Sequence, residues 1–266
     1  IFFYIIYKLY DLNNIRRNNM YKTIIFDLDD TLTNDFENTK SAFSIAMKYK
    51  EQEFTEDDFL RFHEIDVQTW KNRAAGKIVT PYDDDKIKKT EWIRASRFIK
   101  FFGEENISYE EAVELNNVYM EGMKAKVVAR PGAFETIKYL SENGYRLAIA
   151  TNGPRIPLQT KIEKLGISSY VNLIFSAEEV GFMKPSPIFF EGLLKKLGVT
   201  DKKEVLFVGD DLDKDIKGAS ENGLDACWCN YNNEENSEYR CRYQIKRLEE
   251  LKSILKQKEQ DIDEGR

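Results

Sequence analysis

The stretch YKTIIFDLDDTL, residues 21–32, decides the fold. It begins as a short apolar run and ends in acidic residues, which is typical of a buried parallel strand whose carboxyl end meets a loop. Similar apolar runs recur at 146–151, 172–176, 204–209 and 225–229, and helical patterns ending at Gly144, Gly166 and Gly198 come between them. Strands that alternate with helices predict an α/β fold with a doubly wound parallel sheet.

Between residues 36 and 126 the pattern changes, because strand-like runs give way to lysine, glutamate and aromatic residues at helical spacing. This segment predicts an all-helical cap domain inserted into the α/β core, and we expect it to act as a lid. Its aromatic side chains are expected to form the core of the insertion itself. They include Phe59, Phe62, Trp70, Trp92, Phe98 and Phe101.

A further helix is predicted after Tyr243, over 245–257. The predicted organisation therefore has four parts. They are an N-terminal extension at 1–19, a catalytic core at 20–35 and 127–250, the helical cap at 36–126, and the end of the C-terminal helix with a tail at 251–266.

Composition excludes several classes of partner. The net charge of −6 over 266 residues gives no general basic field, so neither a nucleic-acid backbone nor an anionic membrane surface is expected to bind. The first ten residues are apolar apart from Lys8, but a membrane-spanning helix needs about 20 apolar residues. The three cysteines form no CxxC pair, which indicates neither a disulfide framework nor a zinc site and favours a reducing cytoplasm.

The ends of the predicted strands carry the chemistry, because ligands bind beyond the carboxyl ends of strands in open α/β sheets. Asp27 and Asp29 follow the first strand at a spacing that puts both side chains on one side of extended backbone, where a cation is needed to neutralise them. Asp210 follows another strand and can complete that site. An all-oxygen ligand set suits magnesium.

An isolated pair of aspartates at this spacing is common in solvated turns. The same sheet edge, however, also offers the hydroxyl of Thr151, the amide of Asn152 and the ammonium of Lys184. These groups are the ones needed to hold a phosphoryl group, so the set as a whole indicates phosphoryl transfer.

Four motifs in order resemble the haloacid dehalogenase superfamily: FDLDDTL (26–32), ATNG (150–153), KP (184–185) and VGDDLDKD (208–215). The resemblance covers about residues 20–250, and the helical insertion after the first motif resembles the first cap type of that family. It implies that Asp27 is the nucleophile and that Asp29 is the general acid and base. It also implies that Thr151, Asn152 and Lys184 hold the phosphoryl oxygens.

The same resemblance implies a magnesium ion bound by Asp27, the backbone carbonyl of Asp29 and Asp210, with Asp215 supporting the site from behind. It implies no role for three further aspartates, which solvated turns explain. These are Asp30, Asp211 and Asp213.

The expected activity is hydrolysis of a small phosphate monoester. Within the superfamily, the segments SAEEVGFMKPSPIFF (176–190) and DACWCN (225–230) resemble the pyrimidine 5′-nucleotidases, which implies a nucleoside 5′-monophosphate as substrate. Sugar-phosphate or phosphoglycolate hydrolysis and phosphomutase chemistry remain alternatives. Dehalogenation of a 2-haloacid needs no acid on the leaving group, so Asp29 argues against it. A non-catalytic binding module would be expected to have lost one of the motif residues.

Overall fold

The computed structural model describes residues 21–82, 84–153, 155–235 and 239–263, and the N-terminal extension predicted at 1–19 lies outside these ranges. Over them the chain contains a six-stranded sheet in the order β3-β2-β1-β4-β5-β6, with every neighbouring pair parallel. The strands are β1 Thr23–Phe26, β2 Arg146–Thr151, β3 Leu173–Ser176, β4 Val205–Gly209, β5 Asp225–Cys229 and β6 Tyr243–Ile245.

Helices flank this sheet and also form the insertion between β1 and β2. In chain order they are α1 Asp35–Tyr49, α2 Glu56–Ala74, α3 Lys86–Phe102, α4 Tyr109–Ala125, α5 Ala133–Glu142, α6 Arg155–Lys164, α7 Pro187–Leu197, a π-helical turn Leu212–Lys217, α8 Gly218–Glu221 and α9 Glu250–Asp263. This architecture confirms the predicted fold class, a doubly wound parallel sheet with an inserted all-helical segment.

The centre of the sheet positions the functional loops. Strand β1 is fully buried and pairs with β2 on one side and β4 on the other, with Phe26 opposite Ile149 and Val208. Strand order reverses at β1 and β4, so the loops after these two strands diverge and leave a crevice at the sheet edge. The residues that follow β1 and β4 are therefore brought together.

The C-terminal part of the core corrects one prediction. A helix was predicted over 245–257, but residues 243–245 form the edge strand β6, in which Tyr243 pairs with Cys227, and the helix begins only at Glu250. Strand β6 has only three residues, too few to show the period-two alternation by which strands are recognised. Pairing with β5, rather than local sequence, makes it a strand.

The chain divides into two compact units, one formed by Asp35–Val128 and the other by the described residues on either side of it. In the helical unit, side-chain caps fix the helix starts: Thr55 and Ser108 each form a reciprocal capping box. A buried aromatic cluster fills its interior, while Trp70 and Trp92 are only half-buried. The cluster includes Phe43, Phe59, Phe62, Phe98 and Phe101.

The hydrophobic core of the other unit lies between the sheet and its helices. Helix α7 adds Phe189, Phe190 and Leu193 to this core, where the Phe190 ring contacts Phe207 of β4. Among the residues that the structure describes, none of the helices has the length and apolar character of a membrane span.

Candidate active site

A buried lysine joins two aspartates at the carboxyl edge of the sheet. Asp27 follows β1 directly and is 6% exposed, and Lys184 is 4% exposed. The Lys184 ammonium donates hydrogen bonds to Asp27 Oδ1 at 2.5 Å, to Asp215 Oδ1 at 2.7 Å and to the Ala150 carbonyl at 3.0 Å. Three acceptors therefore fix its position and satisfy its hydrogen-bonding capacity.

Asn152 holds the backbone of Lys184 in place. Its Oδ1 accepts from the Lys184 amide at 2.7 Å, and its Nδ2 donates to the Lys184 carbonyl at 3.1 Å. The side chain predicted to bind phosphoryl oxygens is thus engaged in positioning the lysine. Thr151 ends β2 at the same edge, and its Oγ1 accepts from the Gly153 amide at 3.0 Å.

The π-helical turn after β4 returns Asp215 to the site. Asp215 is buried, and besides Lys184 it accepts from the Asp211 amide at 3.2 Å. The turn packs so closely on β4 that a Cβ on Gly209 would lie 2.4 Å from the Asp215 carboxyl carbon. Position 209 therefore requires glycine, because any larger residue would overlap the Asp215 side chain.

Three carboxylates share one small volume. One oxygen from each of Asp27, Asp210 and Asp215 lies within 4.8 Å of the others. Thr31 Oγ1 donates to Asp210 Oδ1 at 2.7 Å, which orients the third carboxylate. The Lys184 ammonium balances only one of the three negative charges, so one divalent cation would neutralise the remainder. The all-oxygen donors and the charge both fit magnesium.

The pKa shifts of the residues in this cluster indicate a site that binds a cation. Burial raises the pKa of Asp27 to about 7, although Lys184 opposes the shift, and burial followed by the charge of Asp27 raises the pKa of Asp210 well above its usual range. Burial alone would lower the pKa of Lys184, but Asp215 and Asp27 outweigh it and raise that pKa. The lysine therefore stays protonated, whereas Asp27 and Asp210 are stabilised by a bound metal ion or a proton.

Asp29 lies apart from this cluster and has its own cation. Its carboxylate accepts from Lys161 Nζ of α6 at 2.5 Å, and it remains about one-third exposed. The neighbouring Gly153 is close, since a Cβ there would lie 3.3 Å from Asp29 Oδ2. The structure thus places one partly exposed and one buried carboxylate on the same loop.

Sequence reasoning missed Lys161 and Thr31. Lys161 lies within a helix of weakly amphipathic sequence, ten residues beyond the end of β2, and no local pattern marks it. Thr31 belongs to the first motif, and its position after the aspartates was the available signal. Among the aspartates left out of the predicted site, Asp30 pairs with Arg130, and Asp211 accepts from the Asp213 amide.

Comparison with known proteins adds to this geometry. The family model of the haloacid dehalogenase-like hydrolases matches residues 21–223. The HAD-hydrolase YfnB of Bacillus subtilis is 29% identical, over 88% of this chain and 95% of YfnB. A crystal structure of YfnB bound to magnesium, described as revealing interdomain movement, covers 88% of this chain and 98% of its own, with a TM-score of 0.76 and 26% identity.

Two relatives with assigned substrates are similar to a comparable degree. The pyrimidine 5′-nucleotidase YjjG of Escherichia coli is 28% identical, over 87% of this chain and 96% of YjjG. The glyceraldehyde 3-phosphate phosphatase of Methanocaldococcus jannaschii is 30% identical, over 91% of this chain and 100% of the relative. Both relatives act on small phosphate monoesters.

Proposed function

Because the chain belongs to the haloacid dehalogenase-like hydrolase family, we propose that it hydrolyses a small phosphate monoester through a phosphorylated Asp27. The observation that carries the proposal is the single ammonium of Lys184, held between Asp27 and Asp215 with Asp210 in the same cluster. The place of Asp27 at the carboxyl edge of the sheet, beside this fixed cation, supports its role as the nucleophile.

The first step forms one bond and breaks another. An oxygen of Asp27 attacks phosphorus, the bond from phosphorus to the leaving oxygen breaks, and the carboxyl group of Asp29 gives its proton to that oxygen. Asp29 suits this role because it is more exposed than Asp27 and lies two residues away on the same loop. The products of this step are an alcohol and an aspartyl-phosphate.

The second step releases phosphate. Water attacks phosphorus, the Asp29 carboxylate takes the proton of that water, and the bond between Asp27 and phosphorus breaks. Lys184 remains charged throughout and balances the negative charge at the phosphoryl oxygens. Thr151 stands at the same edge and offers a further hydroxyl donor.

Asp27, Asp210 and the backbone carbonyl of Asp29 are the groups that would hold magnesium, and Asp215, which accepts from Lys184 in the same cluster, would support them. Bound there, the ion would neutralise the carboxylates and polarise a phosphoryl oxygen. Magnesium in the YfnB crystal structure supports this choice of ion.

For the substrate we propose a nucleoside 5′-monophosphate, with a pyrimidine base preferred. The likeness to YjjG supports this choice. The equally extensive likeness to a glyceraldehyde 3-phosphate phosphatase makes a triose phosphate the competing candidate.

The test of the reaction is hydrolysis of 4-nitrophenyl phosphate by purified protein, with magnesium or with EDTA, for the natural sequence and for Asp27→Asn. We expect activity only with magnesium and only with Asp27 present, because an amide is a poor nucleophile and removes one ligand charge. Full activity of Asp27→Asn would contradict the mechanism, and full activity in EDTA would contradict the metal requirement.

A further inference from the structure

Helices α2 and α3 of the helical unit run antiparallel, and their contacts fix which residues face each other. Arg61 donates to the Phe101 carbonyl at 2.9 Å, and Asp66 pairs with Arg97 at 2.5 Å. The second contact lies five residues further along α2 than the first and four residues earlier along α3, so the two helices are antiparallel. One further turn in the same direction places Arg94 opposite the last turns of α2.

Helical spacing puts several polar residues on the two facing surfaces. On α2, Thr69 and Arg73 follow Asp66 by one turn and two turns, on the same face. On α3, Arg94 precedes Arg97 by one turn, again on one face. These four residues and Asp66 therefore form one cluster, the arginine cluster, between the two helices.

The arginine cluster carries an excess of positive charge. Asp66 neutralises Arg97, which also lies 5.1 Å from the Tyr119 ring. Arg73 lies 5.2 Å from the Trp70 ring. Within the described ranges, neither Arg73 nor Arg94 pairs with a carboxylate, so two guanidinium charges are left without a counter-ion.

The cluster also has buried hydrogen-bonding groups without partners. Over the residues that the structure describes, Arg94 Nε and Thr69 Oγ1 are buried and make no hydrogen bond, and Thr69 is only 1% exposed. Buried polar groups are nearly always paired, and an unpaired one destabilises the fold. Burial and the charges of Arg97 and Arg73 lower the pKa of Arg94, as expected for a cation that lacks an anion.

We propose that Arg73, Arg94 and Thr69 form a binding site for an oxyanion, a phosphate or carboxylate group of a small molecule. The guanidinium of Arg94 matches the planar spacing of carboxylate and phosphate oxygens. The hydroxyl of Thr69 can donate a further hydrogen bond. An anion bound there would complete the hydrogen bonding of both buried groups and balance the excess charge.

The proposed ligand is a small anion separate from the substrate. The binding site therefore does not rest on the proposed phosphatase activity.

The binding test uses the full chain labelled with 5-fluorotryptophan and titrated with inorganic phosphate in EDTA. We expect one fluorine resonance from each of the three tryptophans, to be assigned with Trp→Phe variants. Trp70 reports on the arginine cluster, and Trp228, which donates to the Asp210 carbonyl at 2.9 Å, reports on the active site. We expect a saturable shift of the Trp70 resonance, with affinity about tenfold or more weaker in Arg94→Met and in Thr69→Val.

Thermal unfolding separates binding from structure. Arg94→Met and Thr69→Val remove unpaired buried groups, so their Tm without anion should be unchanged or higher. Absence of a saturable Trp70 shift, or an undiminished shift in both variants, would overturn the proposal. An inactive protein that shows the Trp70 shift would contradict only the phosphatase activity.

Discussion

Lys161 donates a hydrogen bond to Asp29, with 2.5 Å between its ammonium nitrogen and one carboxylate oxygen. The lysine belongs to α6 and is largely buried. It therefore holds the side chain of Asp29, the proposed acid and base, although it lies outside the loop that carries Asp29. We therefore expect the position of Asp29 to depend on a residue outside the four motifs.

The first prediction concerns this pair. Lys161→Met should lower kcat for alkyl phosphates by about tenfold to a hundredfold, because Asp29 loses the partner that orients it. The loss should be smaller for 4-nitrophenyl phosphate, whose leaving group needs little protonation. Lys161→Arg should retain most of the activity, and Lys195→Met, at an exposed lysine, is the matched control. Equal losses on both substrate classes would contradict an action through Asp29.

A second prediction follows from the raised pKa of Asp27, about 7 in the folded protein against an ordinary 3.8. For a carboxyl group with a raised pKa, the folded state is favoured when the group is protonated. Its contribution to stability is therefore present below pH 4 and lost as the pH rises to about 7.

Magnesium competes with that proton, so it should stabilise the protein more at pH 8 than at pH 6. Between pH 6 and pH 7, displacing one proton reduces the stabilisation by magnesium by about 1.4 kcal/mol. The rise in Tm on adding magnesium should therefore be about 2–6 °C larger at pH 8 than at pH 6. Thermal unfolding with saturating magnesium and with EDTA at both pH values measures this difference. Asp27→Asn should abolish it, whereas the exposed control Asp213→Asn should keep it. A pH-independent magnesium effect would contradict the prediction.

The third prediction concerns Lys184. Lys184→Met should lower kcat/KM by a factor equivalent to several kcal/mol of lost transition-state stabilisation, as expected for one preorganised electrostatic group. It should also destabilise the metal-free protein by about 3–5 kcal/mol, because Asp27 and Asp215 then remain buried without their common cation. Kinetics and urea unfolding measure the two effects. A change in kcat/KM of less than about tenfold, roughly 1.4 kcal/mol, would show that Lys184 does not face the transition state.

Gly209 gives a fourth prediction, about the turn that carries Asp215. Gly209→Ala should reduce both stability and activity, since the added methyl group would overlap the Asp215 carboxylate at the end of β4. We expect a loss of about 1–3 kcal/mol in urea unfolding, the usual effect of overpacking. The control is Gly181→Ala, where no atom lies within 4 Å of an added Cβ, although its positive φ adds a smaller strain. Equal losses at both positions would contradict the steric argument.

The sheet was predictable because its inner strands are continuous apolar runs, and such runs report burial directly. Asp27 and Asp210 were predictable for a related reason: they follow those strands, and parallel strands end at one edge. Strand β6 was not predictable, since pairing with Cys227 and its neighbours decides its conformation. Lys161 was not predictable either, because its partner Asp29 is 132 residues away in the chain.

The last prediction concerns the substrate. We expect kcat/KM to be higher for dUMP and dTMP than for glyceraldehyde 3-phosphate, glucose 6-phosphate, phosphoglycolate or a purine nucleotide. The likeness to YjjG and the segments at 176–190 and 225–230 support this order. Trp228 of the second segment is buried and donates to the Asp210 carbonyl, so it serves the core and does not itself recognise a base.

A base must therefore be recognised by side chains elsewhere, and apolar or aromatic surface is what a pyrimidine ring requires. In the helical unit the fully buried rings of Phe59 and Phe62 are committed to packing. Higher kcat/KM for glyceraldehyde 3-phosphate than for dUMP would contradict this prediction and assign the enzyme to sugar-phosphate hydrolysis instead.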